Sequence, residues 1–187
     1  NSRGEAMVAD GDARYAAAVE RGNVYHAANQ TTVTTQAGLS ATTPALTIAN
    51  RAGSGKVVKL WYVGASSLVA PGAAAEVYLT MGGGGVSAAV TETTLATVRN
   101  AKTGDASNPI NGVVVLSVAT LPAAPVAIAQ LGAQSTGAIT VGLGMGPYGR
   151  WFGGALWVNE NYNVSIQTST ASTLFCDFTF EVVDKKS

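Results

Sequence analysis

The sequence predicts an all-β domain, a sandwich or a barrel, carrying an N-terminal arm with one short helix. Three observations predict it. Segments rich in Val, Ile, Thr and aromatic residues recur from Thr42 to the C-terminus, at a spacing of roughly 8–12 residues. Clusters of turn-forming residues separate them: "AGSG", "APGA", "GGGG", "DASNPING", "LPAAP", "STG", "GMGPYGR" and "NEN". Helical patterning is confined to one stretch near the start.

That stretch is Asp10 to Arg21, "DGDARYAAAVER". Asp10 or Asp12 can cap its start, Ala fills its middle and Gly22 can end it. At three or four turns such a helix is marginal alone and must dock on something. "NVYHAANQTTVTTQAGLS" then reads as an extended, Thr-rich connection. The strands expected after it are Ala45–Asn50, Lys56–Ser66, Ala75–Met81, Thr93–Arg99, Gly112–Ala119, Val126–Leu131, Ala138–Leu143, Gly154–Val158, Asn163–Thr170 and Thr173–Val183. This divides the chain into an arm over residues 1–40 and a β domain over residues 41–187.

Two strands carry more information than the others. In the last, strict alternation places Leu174, Cys176, Phe178, Phe180 and Val182 on one face and Phe175, Asp177, Thr179 and Glu181 on a mostly wet one. In the second, Val57 and Trp61 fall on one face and Val58, Leu60 and Tyr62 on the other. A strand apolar on both faces is either central in the fold or pressed against a neighbouring subunit.

Net charge is zero, so no basic footprint for nucleic acid exists. Only 12% of residues are charged, about half of what a soluble domain carries. A folded monomer of this size exposes roughly 8,300 Å², which leaves one charge per roughly 380 Å². Neutral polar side chains and partner surfaces must cover the rest. The uncharged stretch between Asp105 and Arg150 is broken by Pro122, Pro125 and repeated Gly, Ser and Thr, well short of a membrane span.

The chemical motifs are weak. "GSGK" at Gly53–Lys56 resembles a phosphate-binding loop, but Val57 stands where a hydroxyl is required, Asn50 where the first Gly is required, and a strand follows instead of a helix. Gly144–Gly149 fits Gly-x-Gly-x-x-Gly only formally, with Pro147 inside and no helix after it. His26 is the single histidine, and Cys176 the single cysteine, expected as an inert buried thiol. Asp177 and Glu181 lie about 13 Å apart along an extended strand, too far for a glycosidase pair. Asn29 and Asn163 open glycosylation sequons of a kind that arises by chance in Asn/Ser/Thr-rich chains. No catalytic, cofactor-binding or metal-binding residue is assigned. The aromatic group of Tyr148, Arg150, Trp151, Phe152 and Trp157, with Trp61 and Tyr62, reads as core plus interface or as a sugar-stacking platform.

The run "TTVTTQAGLSATTPALTIANRAGSGKVVKLWYVGAS" resembles a layout in structural proteins of tailed bacteriophages, in which an apolar strand ends in Asn, a "GSGK"-like turn follows and an aliphatic-aromatic strand returns. "RYAAAVERGNVYHAANQ" and "GALWVNENYNVSIQTSTAS" resemble the same group, although "NEN" at Asn159–Asn161 replaces a frequent Pro-Gly. The resemblance covers most of the chain from Arg14 onward. It implies a jelly-roll β-sandwich without enzymatic activity or cofactor, made in the host cytoplasm and assembled on the capsid surface of the virion. It further implies a homo-oligomer, typically a trimer, that decorates or cements the head lattice through the major capsid protein or another virion protein, with neither nucleic acid nor membrane as partner. The alternative is a receptor- or carbohydrate-binding spike or fibre head. The expected subunit and capsid contacts are Tyr15, Val19, Tyr25 and His26 in the arm and Trp61, Tyr62, Arg150, Trp151 and Phe152 on the sandwich.

Overall fold

A computed structural model describes residues 13–67, 73–83, 89–134 and 148–185. The expected strand at Ala138–Leu143, the helix caps Asp10 and Asp12 and most of the Gly144–Gly149 motif lie outside the described residues. The strands are β1 (Val24–Ala28), β2 (Val33–Thr34), β3 (Leu46–Asn50), β4 (Lys56–Ser67), β5 (Ala75–Gly83), β6 (Thr91–Leu95), β7 (Thr97–Asn100), β8 (Val113–Thr120), β9 (Val126–Gln134), β10 (Tyr148–Val158), β11 (Tyr162–Thr168) and β12 (Thr173–Asp184). They form two antiparallel sheets. Sheet I runs β10-β4-β12-β1-β7, with β2 also paired to β12; sheet II runs β6-β8-β3-β11-β5-β9.

This connectivity is a jelly roll. Taking β1, β3, β4, β5, β9, β10, β11 and β12 as strands one to eight, sheet I has the order 6-3-8-1 and sheet II the order 2-7-4-5. The chain therefore changes sheet at most of its turns. Strands β6, β7 and β8 are an insertion between the fourth and fifth of these, and they widen both sheets along the same side.

The inner faces meet in one core that includes Leu46, Ile48, Leu60, Val63, Leu79, Ile166, Phe178 and Phe180, all essentially without solvent contact. Alternation in β12 places Leu174, Cys176, Phe178, Phe180 and Val182 in that core, as the sequence pattern requires. Its other face is less wet than expected. Thr179 and Glu181 are buried there, and Arg21, which follows the N-terminal helix, reaches Glu181 at 3.3 Å.

The turn "AGSG" changes sheets rather than making a hairpin, because β3 belongs to sheet II and β4 to sheet I. Asn50 holds the corner. Its Nδ2 donates to the carbonyls of Lys56 (2.9 Å) and Val158 (3.0 Å), and its Oδ1 accepts from the Ser54 hydroxyl (2.6 Å). Lys56 is ion-paired with Asp184 at the same end of the sandwich.

Three elements differ from the sequence expectation. Val24–Ala28, read as part of a connection, is a full strand of sheet I between β12 and β7. Thr93–Arg99, read as one strand, is two, because the chain crosses from sheet II to sheet I at buried Ala96, whose N–H bonds the Val115 carbonyl at 2.9 Å. Gly154–Val158 is only the end of β10, which begins at Tyr148 and bulges between Trp151 and Leu156.

The bulge also redirects β4. Tyr62 pairs with Thr179 and Leu60 with Phe180, so Trp61 is an extra residue with no partner on β12. One extra residue reverses the facing of everything beyond it. Tyr62 therefore shares the outer face with Trp61, and Val63 and Ala65 enter the core in its place. The expectation that Tyr62 shares a face with Val58 and Leu60 is overturned by this irregularity.

Candidate interaction surface

The outer face of sheet I collects most of the residues singled out from the sequence. Strand register builds it in rows. Trp151, Tyr62, Thr179, His26 and Arg99 stand side by side across β10, β4, β12, β1 and β7. The next row is Gly149, Gly64, Asp177, Ala28 and Thr97. On the other side of the bulge lie Trp157, Lys59 and Glu181.

The helix, residues 13–20, crosses this face. Gly22 ends it at φ +75°, with its N–H on the Val19 carbonyl and the Asn23 N–H on that of Ala18, which closes the last turn. The apolar side of the helix docks on the chain's own sandwich. Ala18 packs with Val24 and Trp61, flanked by Tyr15, Val19 and Ala101. The Tyr15 ring meets Trp61 edge-on at 5.2 Å and Trp151 at 5.9 Å, and Trp61 and Trp151 lie 5.8 Å apart. Each such ring pair contributes roughly 0.5–1.5 kcal/mol beyond the area it buries. Burial pushes the Tyr15 hydroxyl pKa above its ordinary value.

Glycines make room for rings. A Cβ on Gly149 would strike the Tyr62 hydroxyl, one on Gly64 the Asp177 carboxylate, and one on Gly132 the Tyr148 ring. In the bulge, Gly153 and Gly154 take φ values of +59° and +76°, and Gly154 lies 3.4 Å (from an ideal Cβ) under the Trp61 ring. The "YGRWFGG" stretch is thus strand, with glycines where aromatic side chains cover the backbone.

The candidate residues do not form one patch. Tyr15, Val19, Trp61, Tyr62 and Trp151 come together around the helix. Tyr25 faces inward and stacks on Phe180 at 5.8 Å. Phe152 packs against the main core from the β10 edge, under the Arg150 guanidinium at 5.3 Å. His26 is exposed, with Nδ1 3.0 Å from the Thr179 hydroxyl. Half-buried Asp177 has its pKa raised by desolvation, partly offset by the nearby His26.

Chemistry elsewhere is sparse. Among the described residues no three of His, Cys, Asp or Glu gather as a metal site. Cys176 is in the core, and burial pushes its thiol pKa up. Both sequon asparagines are buried: Asn29 accepts the Cys176 N–H and donates to the Leu174 and Thr31 carbonyls, and Asn163 lies in sheet II. The Trp157–Lys59–Glu181 row is not legible in the residues alone, because that grouping exists only through strand register. Exposed apolar side chains also stand on sheet II, Leu95 and Val118 near one edge and Val126 (70% exposed) and Ile128 at the other. No helix among the described residues is long and apolar enough to cross a membrane. No protein-family model, no curated protein and no solved structure matches the chain.

Proposed function

We propose that this chain is a non-enzymatic bacteriophage virion protein, a trimeric jelly roll that decorates the capsid and cements its lattice. The observation that carries the reading is the placement of apolar side chains at opposite edges of sheet II. Leu95 and Val118 lie by β6 and β8, and Val126 and Ile128 on the edge strand β9. A ring of three needs a head-to-tail contact between two different surfaces of the same chain, and these two edges supply them. An edge strand with exposed branched side chains invites pairing unless a partner covers it. The low charge of the surface favours assembly.

Because Tyr15 and Val19 pack, partly buried, against the chain's own Trp61 cluster, contacts with neighbours fall to β9, the β6–β8 edge and the half-exposed Trp151 with Arg150. Light scattering through a dilution series tests the assembly. A three-chain mass is expected, and Val126→Asp with Ile128→Asp should give a folded single chain. A wild-type monomer at every concentration overturns the trimer. Sedimentation with phage heads that lack the chain tests the lattice role, with co-sedimentation expected and its absence contrary.

A further inference from the structure

A cleft of about 630 Å³ opens on the outer face of sheet I, beyond the helix and away from the Trp151 cluster. Volumes of roughly 300–1,000 Å³ hold small organic ligands. Its floor is Val57 and Val183, which are partners across β4 and β12. Trp157, 54% exposed, forms a wall. Its Nε1–H donates to the Gly154 carbonyl at 2.9 Å, so the indole is oriented by the β10 bulge before anything binds.

The polar groups around this ring are both donors and acceptors. Lys59 Nζ lies 5.1 Å from the Trp157 ring centre and makes no ion pair among the described residues. The Glu181 side chain is only 5% exposed, and Arg21 contacts its Oε1. Its Oε2 accepts no hydrogen bond among the described residues. That oxygen opens to the cleft, where a ligand hydroxyl can donate to it.

We propose that this cleft binds a neutral pyranoside. The C–H face of the sugar stacks on Trp157. One hydroxyl donates to Glu181 Oε2, and a neighbouring hydroxyl accepts from Lys59 or Arg21. The cleft carries three cations, Arg21, Lys59 and Lys185, and two carboxylates, Glu181 and Asp184, so a neutral polyol meets donors and acceptors on the same wall. Trp151, although 57% exposed, lines none of this cleft and is committed to Tyr15 and Trp61. The inference is independent of the coat reading: a monomer that binds sugar sinks the trimer alone, and a trimer that binds none sinks this proposal alone.

The three tryptophans of the chain give three indole N–H signals in a ¹H–¹⁵N spectrum. Methyl pyranosides of glucose, galactose, mannose and N-acetylglucosamine, added to the full chain, are the probes. At least one should move the Trp157 signal saturably, with a Kd on the order of 1 mM, and leave Trp151 in place. Glu181→Gln should weaken binding about tenfold, the size of losing one hydrogen bond to a charged group. Trp157→Ala, a change at a half-exposed ring, should abolish it with the fold intact by circular dichroism. The proposal is overturned if no pyranoside moves Trp157, if Trp151 moves equally, or if Trp157→Ala binds as well as wild type. Inorganic phosphate moving Trp157 where the pyranosides do not also overturns it, in favour of an anion site.

Discussion

The two outer faces of this sandwich are closed by opposite means. On sheet I large rings lie over glycine-bearing backbone, and a helix fits across them. On sheet II the central positions are small and polar: Thr47, Thr80, Ser165 and Gln167 are all buried, and three of them bond to one another. Thr80 Oγ1 is 2.8 Å from Ser165 Oγ, which also accepts from Gln167 Nε2 at 3.2 Å. The first face is held by area and shape, the second by hydrogen bonds. A chain with few charges has both options, and they should fail differently: the first through cavities and clashes, the second through orphaned donors and acceptors.

The sharpest way to break the contrast is Trp61→Ala. It removes the seat of the helix and should cost about 3–5 kcal/mol in denaturant unfolding. Early proteolysis between Ala18 and Gly22 should accompany the loss. Trp61→Phe should cost far less than its lost area suggests, because Trp61 Nε1 is buried without a hydrogen-bond partner among the described residues. Equal costs for the two substitutions would mean that shape is not what matters there.

Gly149→Ala comes next, at about 1–3 kcal/mol, because the new methyl group meets the Tyr62 hydroxyl and forces the ring off the strand. Adding Tyr62→Phe should recover part of that loss, and a double-mutant cycle measures it. On sheet II, Thr80→Val should cost about 1 kcal/mol by breaking the bond to Ser165. Thr47→Val should be neutral or stabilising, since Thr47 Oγ1 has no partner among the described residues. Thermal unfolding of the pair decides whether hydrogen bonding closes that face.

The smallest effect is electrostatic. Desolvation raises the Asp177 pKa above its unfolded value, so the fold favours the protonated acid. Its contribution is fully present below the ordinary carboxylate pKa and is lost as pH rises through the folded one. Asp177→Asn should therefore stabilise the protein at pH 7, by less than about 1 kcal/mol given the partial exposure. The gain should shrink on acidification. A gain that grows toward low pH would mean that the His26 attraction dominates instead.

Strands with strict alternation were legible from residues alone. The core face of β12 follows from Leu174 to Val182 without knowledge of any partner. What stayed hidden depends on pairing. Nothing in "KLWYV" announces that Trp61 is an inserted residue, because a bulge is a mismatch between two strands and not a property of one. "VYHAA" is too short and too mixed to stand out, yet β12 and β7 on either side make it a strand. Ala96 looks like one more small residue, and its role as a crossover is set by which sheet each flank joins. The aromatic group was visible as composition. Its division into a cluster under the helix and a separate wall at Trp157 required the register of β10 against β4.

The insertion between β5 and β9 has a mechanical consequence. Through Ala96 it places one short strand at the margin of each layer, β6 in one and β7 in the other. The two layers are laced along that side by continuous polypeptide, like a hem. Force that pries the layers apart must there tear ladder bonds together instead of peeling one layer off the other. At the opposite margin, where β9 and β10 lie, the layers also meet through side chains, the Tyr148 ring lying against Gly132.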